Sequence, residues 1–187
     1  MDTAWVCAAR AWRLAPLQLT RYHGTAFLDP GTAQGVEELR RTWDPGMAEQ
    51  IAAHITLIYP EEIADQSGLI ARVTRAAAVI GPFSIVIGSP FHAGNPADGV
   101  FLAVDDAAGS IRRFRETAVP ASHVIDFQSH VTIVHPRTSG RGEQAWNELA
   151  GMRFDARFTI TDVAITAYDG LRWTTLQTIP LTGQPPD

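Results

Sequence analysis

The sequence predicts an α+β fold in which most of the sheet is antiparallel. Segments with the two-residue period of strands are interleaved with helical segments and hairpin signals, unlike the regular alternation that builds a doubly wound parallel sheet. The dipeptide Asp169-Gly170 separates two segments rich in Thr, Ile, Val and aromatic residues, which is a strong hairpin signal. A strand-like heptapeptide also occurs twice. We interpret the repetition as a weak internal duplication of two half-chains.

The first half of the chain supplies two strands and two helices. Residues 21–28 form the first predicted strand, and the turn sequence Asp-Pro-Gly at 29–31 ends it. Residues 32–43 have apolar residues at helical spacing, and a second Asp-Pro-Gly at 44–46 is expected to end that helix. The first heptapeptide is the next strand and stops at Pro60. Residues 66–80 carry an apolar stripe and predict a helix that stops at Gly-Pro.

The second half repeats strands and helices and ends in a hairpin. Residues 83–87 and 100–104 are predicted strands, separated by a Pro-, Gly- and Asn-rich loop at 89–98. A short helix at 107–119 precedes the second heptapeptide. After a loop at 139–142, a helix is predicted at 143–149. The segments 154–168 and 171–179 are the two sides of the final hairpin.

The two heptapeptides carry the chemistry of the sequence. The first is His-Ile-Thr-Leu-Ile-Tyr-Pro at 54–60, and the second is His-Val-Thr-Ile-Val-His-Pro at 130–136. Because residues i and i+2 of a strand point to the same face, His54 and Thr56 project together, as do His130 and Thr132. The aliphatic residues between them point to the opposite face and can anchor the strand in a core. Two such strands side by side would form a site with two histidines and two threonines.

A single His-x-Thr triplet is weak evidence, because a third one, beginning at His23, arises in the same chain. That triplet lacks the β-branched middle residue, and its proline lies one position further on. The functional interpretation therefore depends on the repetition of His, Thr and Pro at the same offsets in two half-chains.

Composition limits the classes of partner. The net charge is −5, and all 15 basic residues are arginines. An acidic chain is not suited to coating long nucleic acid, although a few local arginines can bind one phosphate or a nucleic-acid end. The single cysteine, Cys7, excludes an intrachain disulfide and fits a reducing, cytoplasmic location. No apolar run is long enough to span a membrane, and residues 1–20 are interpreted as neither signal peptide nor anchor.

We predict three parts along the chain: an N-terminal extension at 1–20, a single domain at 21–182, and a flexible tail at 183–187 that contains two prolines. The oligomeric state is not encoded in any pattern of the sequence.

The paired motifs resemble those of the 2H phosphoesterase superfamily, specifically its 2′-5′ RNA ligase and cyclic phosphodiesterase branch. The hallmark of that family is two copies of His-x-Thr/Ser followed by an aliphatic residue, matched here at 54–57 and 130–133. By element order the resemblance covers about residues 21–179. It implies a pseudo-two-fold, bilobal fold with mostly antiparallel sheets lining a central cleft and helices outside. Tyr59 and His135 lie outside the hallmark.

The residues support metal-independent opening of a cyclic phosphate. Histidines with pKa values near 6.5 can divide the work, His54 and His130 serving as general acid and general base. Thr56 and Thr132 can donate hydrogen bonds to the non-bridging phosphate oxygens. No metal or other cofactor is required. The motifs do not distinguish acid from base, nor hydrolysis of a 2′,3′-cyclic phosphate from the reverse reaction, a ligation. The expected substrate is a nucleotide or RNA end that bears a cyclic phosphate.

Other residues are weaker candidates. His23, Tyr59 and Arg137 are candidate substrate contacts, His23 as a residue at the edge of the cleft, Tyr59 as a stacking ring and Arg137 as a phosphate ligand. Strand alternation turns His135 away from the cleft and predicts a surface histidine. The remaining candidates default to surface or packing roles: Phe91, His92, His123 and Arg141.

Two other classes of function fit parts of the sequence. A metal hydrolase could use both motif histidines and a nearby carboxylate, although no closely spaced ligand motif is present. A non-catalytic module could bind a nucleotide or a phosphorylated ligand without turning it over.

Overall fold

The computed structural model describes residues 21–63, 66–125 and 128–185. The N-terminal extension, with Cys7, and the last two residues of the expected tail lie outside this description. The strands are β1 (Arg21–Phe27), β2 (His54–Ile58), β3 (Phe83–Phe91), β4 (Val100–Asp105), β5 (His130–Val134), β6 (Ala156–Ile160), β7 (Asp162–Tyr168) and β8 (Trp173–Pro180). The helices are α1 (Pro30–Trp43), α2 (Pro45–Gln50), α3 (Gln66–Val79), α4 (Ser110–Ala118) and α5 (Gly142–Leu149).

The strands form one eight-stranded sheet in the order β6-β3-β4-β5-β2-β1-β7-β8. Every neighbouring pair is antiparallel. The predicted α+β class with mostly antiparallel pairing is therefore confirmed. The two halves, β6-β3-β4-β5 and β2-β1-β7-β8, join where the two heptapeptides meet, through the pairing of Ile55 with Val131.

The sheet is strongly curled. β6 lies at one edge and β7 lies one strand from the other edge, yet only Thr161 separates them in the chain. A single intervening residue spans about 7 Å, so the two ends of the sheet must approach each other. This crossing also explains why the segment 154–168, predicted as one strand, is divided into β6 and β7.

The heptapeptides place their aliphatic residues in the core, as alternation predicts. Ile55, Leu57, Val131 and Ile133 are fully buried in one hydrophobic cluster with residues of α1, α3 and α4. Helices thus cover this face of β2 and β5. The His and Thr side chains of the two strands are left on the opposite face.

The second Asp-Pro-Gly ends a helix as predicted, but a further helix that was not predicted begins directly after it. Asp44 ends α1, but it also caps α2, because its Oδ1 accepts the Met47 N–H at 3.0 Å and Pro45 takes the first helical position. The predicted loop at 89–98 begins later, since β3 continues to Phe91. A register shift between Ile87 and Pro90 accommodates the proline, which cannot donate a ladder hydrogen bond.

The first residues of the expected tail pack on the end of α3. The Gly183 N–H donates to the Ala77 carbonyl at 3.2 Å, and the Gly81 N–H donates to the Gln184 carbonyl at 2.9 Å. Within residues 21–63, 66–125 and 128–185, no helix combines the length and apolar character that crossing a bilayer requires.

Candidate active site

A pocket enclosing about 70 Å³ lies where β2 and β5 meet. It brings together all seven site residues proposed from the sequence: His54, Thr56, His130, Thr132, His23, Tyr59 and Arg137. It is also lined by seven residues that sequence reasoning did not select: Arg21, Met47, Ile51, Pro60, Glu61, His135 and Trp173. We call the side chains of His54, Thr56, His130 and Thr132 its floor, and those of Arg21, Glu61 and Arg137 its rim.

The register of β2 and β5 arranges the floor. Because Ile55 pairs with Val131 in antiparallel fashion, His54 lies opposite Thr132, and His130 lies opposite Thr56. Each histidine therefore has a threonine hydroxyl on the neighbouring strand as well as on its own. This gives the floor a local two-fold symmetry.

The same backbone contact fixes both floor histidines. The Nδ1 atom of His54 lies 2.8 Å from the Ala52 carbonyl oxygen, and that of His130 lies 2.9 Å from the Gln128 carbonyl oxygen. A carbonyl oxygen only accepts, so each Nδ1 must carry a proton. Nε2 is then the nitrogen that can take up or release a proton, and protonating it does not break the backbone contact.

Burial keeps both floor imidazoles neutral at neutral pH. It lowers the pKa of His54 to about 4, with the positive charge of Arg40 and the neighbouring His130 acting in the same direction. It also lowers the pKa of His130 to about 4. The two backbone carbonyls oppose this shift by favouring the protonated rings. An approaching anion would raise both values, because it favours the charged imidazolium.

His135 also lies in the pocket and is only 5% exposed, so the prediction of a surface histidine was wrong. Strand alternation stops applying at Val134, where β5 ends and the chain turns. The His135 Nδ1 accepts the Arg137 N–H at 3.1 Å, which requires a lone pair on Nδ1. His135 is thus the opposite tautomer from the floor histidines and carries its proton on Nε2. Burial, reinforced by Arg137, lowers its pKa to about 3.

Two buried carboxylates fix the ends of the floor strands at equivalent positions. The Tyr59 N–H donates to Glu62 Oε2 at 2.9 Å, and the His135 N–H donates to Asp44 Oδ2 at 2.8 Å. Glu62 also forms a buried salt bridge of 2.6 Å with Arg115, which donates to the Leu57 carbonyl of β2. These contacts hold both heptapeptide ends rigidly. Neither carboxylate was recognised from the sequence, because each lies outside the motif it supports.

An aromatic wall closes one side of the pocket. The His23 ring stacks on the Trp173 ring, with ring centroids 3.8 Å apart. The ring of Tyr168, which is on β7, has its centroid 5.2 Å from that of Trp173. Burial, with His54 and Arg21 nearby, holds the pKa of His23 well below its usual value. Its buried Nδ1 has no hydrogen-bond partner among the described residues.

Two phenylalanine rings pack against His130. The Phe101 ring lies 4.7 Å from the His130 ring and the Phe91 ring lies 6.3 Å from it, both edge-on. Phe91 therefore packs beside the floor. His92 packs against Trp146, and His123 contacts Ser122 in an exposed turn.

Arg141 lies away from the pocket. Its guanidinium covers the Trp43 ring at 4.7 Å and donates to the Thr42 carbonyl.

Across residues 21–63, 66–125 and 128–185, no group of three or more His, Cys, Asp or Glu side chains is placed to hold a metal ion. Among the residues that the structure describes, four histidines and one carboxylate, that of Glu61, line the pocket.

Comparison with known proteins identifies the family. The sequence model of the 2′-5′ RNA ligase superfamily matches residues 28–172. The chain belongs to this superfamily, the 2H phosphoesterases, and the membership supports a phosphodiesterase-type function. No curated protein sequence matches the chain significantly.

Solved structures share the fold. TT0787 of Thermus thermophilus is 15% identical with a TM-score of 0.60, covering 88% of this chain and 99% of its own. E. coli LigT in its apo form is 16% identical with a TM-score of 0.61 and the same coverage. LigT complexed with 3′-AMP is 15% identical with a TM-score of 0.59, covering 87% of this chain and 98% of its own.

Proposed function

We propose that this protein is a metal-independent phosphodiesterase that opens 2′,3′-cyclic phosphates by paired-histidine acid–base catalysis. The observation that carries the proposal is the symmetry of the floor. Two adjacent antiparallel strands each present an imidazole whose Nδ1 contacts a backbone carbonyl, and each presents a threonine on the same face. Nε2 is then the titrating nitrogen of both rings.

The step requires one neutral and one protonated imidazole. The neutral Nε2 takes a proton from water while the water oxygen bonds to phosphorus. The phosphorus bond to one ribose oxygen breaks, and the protonated imidazole delivers its proton to that oxygen. Each proton transfer contributes roughly 10²–10⁴-fold. The negative phosphate supplies the electrostatic reason for one ring to be protonated despite its low pKa in the protein alone.

The threonines stabilise charge on the phosphate. As the pentavalent transition state forms, negative charge accumulates on the non-bridging oxygens. Thr56 and Thr132 lie on the histidine face of their strands and line the same pocket. Hydroxyl donors fixed on paired strands need little reorganisation during the reaction. The same groups serve reversible 2′-5′ ligation when a ribose hydroxyl replaces water.

The substrate that fits best is a nucleotide or an RNA end in the cytoplasm. The chain has a net charge of −5, which disfavours a long polyanion. E. coli LigT has been crystallised with 3′-AMP, ATP, NADP⁺ and phosphate. Those complexes support a nucleotide as the class of substrate here.

The test is turnover of adenosine 2′,3′-cyclic phosphate by His54→Ala and His130→Ala. Each variant should lose roughly 10²–10⁴-fold in kcat. His123→Ala is the matched control, because His123 lies in an exposed turn outside the pocket, and it should keep full activity. Wild-type-like turnover by either floor variant would contradict the mechanism.

Two further experiments distinguish the proposed phosphodiesterase from a metal hydrolase and from a non-catalytic binding module. Activity abolished by exhaustive chelation and restored by a metal would indicate a metal hydrolase. Tight nucleotide binding without turnover of cyclic, 2′-5′-linked or 3′-5′-linked substrates would indicate a binding module.

A further inference from the structure

The symmetry of the two heptapeptides ends immediately after their prolines. Glu61 follows Pro60, whereas the equivalent residue after Pro136 is Arg137. Both side chains line the pocket, and so does Arg21 from the start of β1. Arg21 Nη2 donates to Glu61 Oε1 at 2.5 Å. The rim therefore combines two guanidinium groups with one carboxylate.

Electrostatic coupling shows that these three charges act on one another. Burial contributes most to lowering the pKa of Arg137, Arg21 lowers it further, and Glu61 opposes the shift. The two neighbouring histidines, His23 and His135, add no charge, because their own pKa values are depressed. Counted as two guanidiniums and one carboxylate, the rim has a formal net charge of +1.

The rim and the floor line one pocket but come from different elements of the fold. The floor side chains come from β2 and β5, whereas Arg21 comes from β1 and Arg137 from the turn after β5. The aromatic wall lines the same pocket as the rim: the Trp173 ring stacks on the His23 ring and also contacts the Tyr168 ring. The buried Nδ1 of His23, which has no hydrogen-bond partner within residues 21–63, 66–125 and 128–185, gives this wall a polar atom.

We propose that Arg21 and Arg137 form a second anion subsite, which binds a phosphate group other than the one that reacts on the floor. Glu61 bonds Arg21 in the protein alone, and an incoming phosphate replaces this carboxylate. The preferred substrate class is then a nucleotide that bears a cyclic phosphate together with a second phosphate. This inference rests on the proposed function, which assigns the reacting phosphate to the floor.

The kinetic test compares adenosine 2′,3′-cyclic phosphate with the same compound carrying a 5′-phosphate. The wild-type protein should prefer the second substrate by roughly ten- to hundredfold in kcat/KM, the range for hydrogen bonds to charged groups. Arg21→Gln and Arg137→Gln should each remove most of this preference. Glu61→Gln should increase it, because the competing carboxylate is lost. Arg141→Gln, which lies outside the pocket, is the matched control and should retain the wild-type preference.

A dinucleotide that ends in a cyclic phosphate identifies the source of the second phosphate. A larger advantage for the 5′-phosphate indicates a free nucleotide, and a larger advantage for the dinucleotide indicates an RNA end. If Arg137→Gln removes the advantage in kcat/KM for either substrate, the result supports the second anion subsite. Absence of any preference in the wild-type protein, or equal losses on all substrates in the arginine variants, would overturn it.

Calorimetric binding separates failure of the subsite from failure of the proposed function. Adenosine 3′,5′-bisphosphate should bind more tightly than 3′-AMP to the wild-type protein and lose that advantage in Arg137→Gln. That result without turnover of any substrate would reject the phosphodiesterase and keep the subsite. Turnover with equal binding of the two ligands would reject the subsite and keep the phosphodiesterase.

Discussion

The floor of the pocket and the turn after β5 both contribute histidines, but these have different chemical roles. His54 and His130 place Nδ1 against a backbone carbonyl, so Nε2 can gain and lose a proton freely. His135, five residues after His130, accepts a backbone N–H at Nδ1 and would lose that hydrogen bond on protonation. The comparison teaches that the backbone partner, more than the residue type, determines which histidine can carry a proton.

Carboxylates show the same contrast in neighbouring positions. Glu62 is 1% exposed and is bonded to Arg115 and to two backbone N–H groups, whereas Glu61 is an exposed rim residue. Glu62→Gln should lower the free energy of unfolding by about 3–5 kcal/mol, because it removes the carboxylate charge from the buried salt bridge with Arg115. Glu61→Gln should change it by less than about 1 kcal/mol. Urea unfolding of both variants measures the difference. Similar losses in the free energy of unfolding would show that Glu62 does not support the floor strands more than Glu61 does.

Removal of the threonine hydroxyls should have the next largest effect. Thr56→Val and Thr132→Val should each lower kcat by roughly 10²–10³-fold, the loss measured when one oxyanion donor is removed. Thr175→Val is the control, because Thr175 is exposed on β8. A loss confined to KM would show that the hydroxyls bind the ground state and do not stabilise the transition state.

His135 should make the protein sensitive to acid. Its pKa is about 3 in the folded protein and about 6.5 in the unfolded chain. Between these values the unfolded chain binds more protons, so stability falls as the pH decreases below 6.5. His135→Gln removes this contribution. Between pH 7 and pH 5 the free energy of unfolding should fall by about 1–2 kcal/mol less in the variant than in the wild-type protein. Urea unfolding at both pH values measures this difference. Equal losses would show that His135 is not held neutral.

The pH dependence of kcat/KM should differ from that of kcat, because kcat/KM reports the pKa values of the free protein and kcat those of the complex with substrate. With both floor pKa values near 4, the form with one protonated ring becomes scarcer as the pH rises above 4, and kcat/KM should fall. A bound phosphate raises these pKa values, so kcat should stay high to a higher pH. Superimposable profiles for kcat and kcat/KM would contradict the electrostatic role assigned to the substrate.

The sequence predicted the floor well, because alternation within a strand is local. The paired motifs located His54, Thr56, His130 and Thr132 on one face and their aliphatic neighbours in the core. His135 was missed because alternation holds only while the strand continues, and β5 ends one residue earlier.

Contacts between distant segments were not predictable in the same way. Trp173 reaches the pocket because β8 pairs with β7, which pairs with β1. Arg21 pairs with Tyr168 in that arrangement, and no local pattern encodes it. Asp44 supports His135 across 91 positions of sequence, although its Asp-Pro-Gly context indicated only a helix end.

The most direct test of the account is the protonation of the pocket imidazoles, measured by ¹⁵N NMR with single-histidine variants for assignment. At pH 7 the account predicts that His54 and His130 are neutral with the proton on Nδ1, and that His135 is neutral with the proton on Nε2. Addition of 3′-AMP should raise the pKa of at least one floor histidine and leave the His135 tautomer unchanged. Floor histidines with the proton on Nε2, or a His135 that protonates before them on acidification, would contradict the assignment of catalysis to the floor.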